Sequence, residues 1–303
     1  RKNGILLEAA LSQTGRKMKI NATEVRNSSD YLGYLEVMAF LPESLSLIKG
    51  LPQGRRNFLD RGIFSLNHRY QNIVQQYQKV LQRKNYLLAT NKGKHEALEV
   101  WNDQLVDLGS RILWERLKYI GRINETISRN LGSRTYGGPP PADWIRMFYV
   151  SSVLSGFFSG LKTETDSNLE SLEDIQLLFS KKIRERRNEE IRRSLSLVGP
   201  HRDDLVIQLR GKDLKRFGSQ GEQRLSLFLI ILAMVFDFKK ERGFYPILLL
   251  DDLISELDNK RRDQALHYFP KDDFQVFLTS AENISLELLW PQVYRLDISK
   301  IQN

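Results

Sequence analysis

The sequence predicts an α/β protein whose sheet-forming ends are separated by a mainly α-helical insert. Three observations carry this. Pro246-Ile247-Leu248-Leu249-Leu250 and Gln275-Val276-Phe277-Leu278-Thr279 are continuous apolar runs, as strands buried on both faces of a parallel sheet require. From Asn67 onward, apolar residues recur at steps of three and four, the signature of helices with one buried face. The first 41 residues instead show strand-like alternation.

Taken in order, Lys17–Asn21 alternates polar and apolar residues, and Tyr34–Phe40 is a longer strand candidate stopped by Pro42. Ile73, Val74, Tyr77, Val80, Leu81, Leu87 and Leu88 define a first helix. The polar break Thr90-Asn91-Lys92-Gly93-Lys94 predicts a helix–helix turn. A second helix from Glu96 to Leu131 carries Leu98, Trp101, Leu105, Leu108, Ile112, Tyr119, Ile123 and Ile127 in near-heptad spacing. At ~1.5 Å per residue it reaches roughly 50 Å, and the pair is expected to form an antiparallel arm rather than a compact core. Gly137–Pro141 breaks the pattern, Met147–Leu154 is rich in β-formers, and Leu169–Ser194 returns to a charged helix. Beyond Gly199-Pro200 the expected order is a strand at Leu205–Leu209, an apolar helix over Gly221–Phe238, the first buried strand, a helix over Asn259–Phe269 and the second buried strand.

Composition narrows function. The 303 residues carry 46 Lys and Arg against 37 Asp and Glu, a formal charge of +9 that favours a polyanionic partner, nucleic acid before membrane. With no cysteine, disulfides, thiolate metal sites and cysteine nucleophiles are excluded, and a reducing compartment follows. No apolar run approaches the roughly 18 residues of a membrane span, so a cytoplasmic protein is expected. His68, His95, His201 and His267 lack metal-ligand spacing and the serines lack a nucleophile elbow, which removes metal and serine hydrolases.

The chemistry gathers in the last third. An apolar strand ending in Asp251-Asp252 puts two carboxylates at the carboxyl edge of a parallel sheet, where ligands bind in such folds. One acid can hold Mg²⁺, directly or through water, and the next can orient or deprotonate a water. A strand followed by an Asp-rich helix cap is the plainer alternative. Upstream, Phe217-Gly218-Ser219-Gln220-Gly221-Glu222-Gln223-Arg224 opens the apolar helix. Ser219 and Glu222 have capping-box spacing, while Ser219, Gly221 and the helix amides can equally form a phosphate site. The Ser-x-Gly-x-Gln order resembles an ABC-type signature. Ser255-Glu256-Leu257-Asp258 resembles a D-loop, and Thr279 ends the next strand where such ATPases place a switch residue.

These elements, with Gly199-Pro200-His201-Arg202-Asp203-Asp204-Leu205, resemble the RecF family, bacterial recombination mediators with an SMC-like ABC ATPase head. Phe40–Leu45 and Gly54–Arg61 are similar to it as well, near the Q-loop. The resemblance spans about Gly15 to Asp297. It implies a partial ABC/SMC-like P-loop ATPase head made from residues 1–62 and 195–303, with a helical second lobe over 63–194. It also implies ATP and Mg²⁺ as cofactors, an ATP-dependent homodimer, DNA and a RecR-type mediator as partners, and slow, switch-like hydrolysis in recombinational repair. In that reading Asp251 holds Mg²⁺, Asp252 acts on water, and Ser219, Gln220, Gly221 and Glu222 meet the other subunit's γ-phosphate. Ser255, Glu256, Leu257 and Asp258 form the D-loop, and Thr279 is the switch. The departure is the phosphate loop: no Gly-x-x-x-x-Gly-Lys-Ser/Thr occurs here. The family's loop lies nearer the N-terminus and the chain opens on Arg1, so the loop is expected in a preceding segment, and these residues alone are not expected to hold ATP tightly. His201 and Arg202 read as structural residues of a loop.

Between Asp60 and Glu96 there is no acid, yet Arg61, Arg69, Lys79, Arg83, Lys84, Lys92 and Lys94 fall there, interleaved with Tyr70, Tyr77 and Tyr86. This predicts phosphate contacts with little sequence preference from Arg69, Lys79, Arg83, Lys84, Lys92 and Lys94. A solvated face with tyrosines in the core is the plainer alternative. The run Lys181–Arg193 includes Glu185, Glu189 and Glu190 and reads as intrahelical ion pairs. Another SMC-like or ABC ATPase, and a non-enzymatic DNA-binding scaffold with a decayed nucleotide site, are the rival functions.

Overall fold

A computed structural model describes residues 4–12, 15–25, 34–90, 95–131, 144–161, 171–252, 257–269, 274–281 and 293–296. Strands β1 (Leu7–Ser12), β2 (Gly15–Ile20) and β3 (Thr23–Val25) form a small antiparallel sheet in that order. The register Leu7↔Ile20 and Ala9↔Met18 gathers its apolar residues on one face. The β2–β3 turn is Asn21-Ala22, both at positive φ (48° and 67°), the hand that matches strand twist in a two-residue hairpin.

Strand β4 (Val37–Phe40) leads through a 3-10 turn at Pro42–Leu45 into α1 (Ser46–Lys49) and α2 (Pro52–Leu66). Pro52 opens α2, where its missing N–H costs nothing. The helix begins well before Asn67 because its buried positions are Arg55, Leu59, Gly62 and Ile63, a stripe that apolar counting does not register. The hairpin follows as α3 (Arg69–Thr90) and α4 (His95–Thr126), which continues as a π turn, Ile127–Leu131. After β5 (Ile145–Ser151) and β6 (Gly156–Phe158) comes α5 (Leu172–Arg193), started by a capping box between Ser171 and Asp174. Strands β7 (Asp204–Leu209) and β8 (Lys212–Asp213), helices α6 (Leu214–Phe217) and α7 (Gln220–Arg242), β9 (Ile247–Leu250), α8 (Asn259–His267) and β10 (Val276–Leu278) complete the order. Among the described residues no helix is long and apolar enough to cross a membrane.

Two further sheets organise the chain. In the parallel sheet β10-β9-β4, Val37↔Ile247 and Phe40↔Leu250 pair across most of the sequence, so both ends of the chain share one sheet. Met38, Leu248, Phe40 and Leu250 lie on the face toward the core, where α7 packs on β4. The antiparallel sheet β6-β5-β7-β8 joins β5, within the helical stretch, to β7 beyond it through Met147↔Ile207 and its neighbours.

The hairpin is not an arm outside the core, as expected, but part of it. α4 packs against α2, α3, α5, α7 and β5, and it buries Leu105, Ile112, Leu113, Leu117, Ile120 and Ile123 on several sides. These residues belong to one hydrophobic cluster with those of α7, which is apolar all round from Leu225 to Phe238 except at Ser226 and Asp237. Gly109 on α4 permits this approach: a Cβ there would lie 2.5 Å from the Phe179 ring and 2.9 Å from that of Tyr77.

Candidate functional site

The carboxyl edge of the parallel sheet brings three of the expected residues together. Asp251 N–H donates to Phe40 O and Thr279 N–H to Leu250 O, both at 2.9 Å, so each extends the ladder by one residue. The Thr279 hydroxyl donates to Asp251 Oδ1 and accepts the Asp252 N–H at 3.1 Å. Asp252 is held at φ +51°, a conformation that costs a non-glycine residue free energy. One hydroxyl from the end of β10 thus fixes the carboxylate of one acid and the backbone of the next. Among the described residues no cluster of three or more His, Asp or Glu could cage a metal. A divalent ion at this edge would rest on one or two carboxylates and on a nucleotide's own phosphates, the usual manner of Mg²⁺.

Asp258 caps α8: its Oδ1 accepts Arg261 N–H at 2.9 Å, and the carboxylate also pairs with the Arg261 guanidinium. Leu257 is buried, while Ser255 and Glu256 lie outside the described residues. Arg261, which no sequence motif marks, lies over the start of α7. A Cβ on Gly221 would sit 2.8 Å from its terminal nitrogen, so glycine is what allows the guanidinium this close. No spacing rule finds Arg261, because the contact joins two helices.

At that start, Ser219 and Glu222 form a complete capping box. Ser219 Oγ accepts Glu222 N–H at 3.3 Å, and Glu222 Oε2 accepts from both the Ser219 N–H and its hydroxyl at 2.9 Å. Those two bonds hold the Glu222 carboxyl below its ordinary range, aided by Arg261 and Arg210. Gln220 and Ser219 both remain exposed. The buried Gln223 side chain ties the helix to α6 through Leu214 O and Gly218 O.

The basic stretch divides sharply. Arg69, Lys79 and Arg83 are exposed on α3, as is Arg61 on α2, and none of the four has an ionic partner among the described residues. Lys84 is a correction. Its side chain is 1% exposed and its Nζ lies 2.8 Å from Glu190 Oε2 on α5, so it cannot reach a phosphate. Burial lowers its pKa while Glu190 opposes that shift. Lys92 and Lys94 lie outside the described residues. Tyr70 and Tyr77 are core residues, whereas Tyr86 is 63% exposed. On α5 the expected pairs occur for Lys182 with Glu185, and for Arg186 and Arg193 with Glu189; Arg187 reaches across to Glu99.

The Gly199–Leu205 string forms a buried polar joint. Gly199 sits at φ +131°, and a Cβ there would fall 2.4 Å from Tyr77 Oη. Tyr77 Oη lies 2.7 Å from His201 Nδ1, and His201 Nε2 lies 3.3 Å from Ser196 O. Burial lowers the His201 pKa to about 3, so the ring is neutral, Tyr77 donates to Nδ1 and Nε2–H donates to Ser196. Asp203, raised by burial, accepts from the Ser152 amide and hydroxyl at 2.7 Å each. Asp204 takes both ends of the Arg55 guanidinium at 2.6 and 2.8 Å. Arg116 bridges Asp60, Tyr149 and Pro200 O. The structural role expected of His201 and Arg202 agrees with these bonds; Arg202 donates twice to Ser196 O.

With this geometry in view, likeness to known proteins is informative. No protein-family model matches the chain. It is 32% identical over 307 residues to the DNA replication and repair protein RecF of Geotalea daltonii, covering 99% of this chain and 79% of that protein. It is 35% identical over 302 residues to the protein of the same name from Oceanobacillus iheyensis, covering 95% and 76%. A solved structure of the recombination mediator protein RecF with ATP, of the RecFOR pathway, superposes with a TM-score of 0.72 at 25% identity, over 92% of this chain and 71% of that one. Extensive identity and a shared fold agree: the chain belongs to the RecF family of DNA replication and repair proteins.

Proposed function

We propose that the protein is an ATP-dependent DNA-binding switch that dimerises on nucleotide, hydrolyses it slowly, and acts at single-strand gaps and junctions to load recombinase with a RecR-type partner. The observation that carries this reading is the Thr279–Asp251–Asp252 cluster at the carboxyl edge of β9 and β10. The similar solved structure is of RecF with ATP, which supports the same ligand here.

In this reading Asp251 is the ligand for Mg²⁺, and Asp252 accepts a proton from the attacking water. Bound Mg²⁺ supplies positive charge against the β- and γ-phosphates. Thr279 holds both acids in place and is the switch. Ser219, Gln220, Gly221 and Glu222 form the surface offered to the second subunit's nucleotide, beside the D-loop of Ser255, Glu256, Leu257 and Asp258. Residues 1–62 and 195–303 form the head and 63–194 the helical lobe. Arg69, Lys79 and Arg83 contact DNA phosphates.

One observation favours a plainer role for Ser219: its hydrogen bonds are already used within the capping box. Sedimentation of full-length variants with and without ATP separates the readings. Ser219→Ala is expected to cost about 1 kcal/mol of stability through the lost cap. Ser219→Arg should abolish ATP-dependent dimerisation while one subunit still binds ATP. Asp252→Asn should accumulate the ATP-bound dimer. A Ser219→Arg protein that still dimerises on ATP overturns the signature role.

A further inference from the structure

Helix α5 sorts its charges. Between 181 and 193 it carries basic residues in excess over three acids, of which Glu190 is consumed by Lys84 in the interior. Lys182, Arg186 and Arg193 pair with Glu185 and Glu189 along its flank, and Arg187 pairs with Glu99 of α4. The remaining three, Lys181, Arg184 and Arg192, are exposed and have no salt-bridge partner among the described residues, although Arg192 adds to the field on Glu189. Arg184 makes only a 3.3 Å bond to Ser180 O in its own helix. At about 100° per residue these three, with exposed Asn188, lie on the ridge away from the buried Ile175, Phe179 and Ile183.

We propose that this outward ridge of α5 is a second contact surface for the phosphate backbone of duplex DNA, separate from the cations of α3. It rests on the reading of the protein as a DNA binder, and adds a surface to it. Lys181 and Arg192 are about 16 Å apart along the helix axis at ~1.5 Å per residue. Duplex DNA carries one charge per ~1.7 Å of its axis, so the ridge always faces several phosphates without choosing a sequence. A membrane is disfavoured because Ile175, Phe179 and Ile183 are buried in the core and the exposed Leu177 and Leu178 are too little apolar surface for α5 to insert. An acidic protein is disfavoured because the ridge offers no aromatic anchor, and contacts of that kind carry protein interfaces.

The test is the slope of log affinity against log salt for the full-length protein with ATP on a duplex of mixed sequence. Lys181→Gln, Arg184→Gln and Arg192→Gln combined should weaken binding and flatten the slope by about 0.9 for each phosphate no longer neutralised. A control variant, Lys182→Gln, Arg186→Gln and Arg193→Gln, removes the same charge from the paired flank and should leave the slope nearly unchanged. Equal flattening in both variants overturns the proposal, since net charge alone would then explain it. An unchanged slope in the ridge variant also overturns it, and so does selective loss of an acidic protein partner with DNA binding intact. If charge reversal of Lys79 and Arg83 flattens the slope while the ridge variant does not, only the α5 surface fails. If neither changes it, the DNA-contact reading fails with it.

Discussion

Removing one member of the Lys84–Glu190 pair should be among the most damaging single changes in α3 and α5. The two side chains are 1% and 3% exposed and meet at 2.8 Å. Deleting one partner of such a pair leaves an uncompensated buried charge, typically a loss of about 3–5 kcal/mol. The local bonds rank the two variants. In Lys84→Met, Glu190 still accepts from Ser196 Oγ at 3.1 Å and Leu197 N–H at 2.8 Å, so the loss should fall near the lower end. In Glu190→Gln the ammonium keeps only the weaker field of Glu99, so the loss should fall near the upper end. That variant should also regain stability as pH rises. Its folded Lys84 pKa sits further below the unfolded value, so the unfolded state binds more protons at alkaline pH. Lys84→Met with Glu190→Gln removes both charges and should return to within about 1–2 kcal/mol of wild type. Urea unfolding of the four proteins measures the cycle. Additive losses, or single losses below about 1 kcal/mol, would refute the assignment of Lys84 to the core. The DNA salt slope of Lys84→Met should match that of wild type.

Two further outcomes follow from the site geometry. His201 is neutral in the fold with a pKa of about 3, while the unfolded chain protonates near 6.5, so stability contributed by burying the neutral ring is lost as pH falls through that window, by about 1.4 kcal/mol per pH unit. Asp203, raised by burial, opposes this in acid, so the readout is the difference between wild type and His201→Gln in pH-dependent unfolding; an identical pH slope in the two proteins would falsify the neutral-ring assignment. Thr279→Val should lower kcat for ATP hydrolysis in the full-length protein with little change in KM, and Thr279→Ser should restore it. A loss that serine does not rescue would show that the hydroxyl is not what positions Asp252.

Local features were legible wherever neighbours in sequence determine them. The apolar run ending in Asp251-Asp252 is β9 and its edge, the Ser219–Glu222 spacing is the capping box, and the polar break after Thr90 separates α3 from α4. Each depends on periodicity, a side chain reaching its own backbone, or the end of an apolar pattern. Helix α2 carries no apolar signature because its buried stripe contains Arg55 and Gly62, whose burial follows from Asp204 and Tyr119 rather than from hydropathy.

The α/β class, the acid pair, the signature-like helix start and the kinship with RecF are all written in short stretches of sequence. Tertiary structure alone decided which cations face water. Lys79, Arg83 and Lys84 look alike in a run without acids, yet Lys84 turns inward because α5 brings Glu190 to meet it. It likewise made α4 a central helix rather than an arm, joined β4 to β9, and laid Arg261 over Gly221. The reason is physical: helix and turn formation depend on bonds a few residues long, whereas the cost of burying a charge depends on which remote segment supplies its partner.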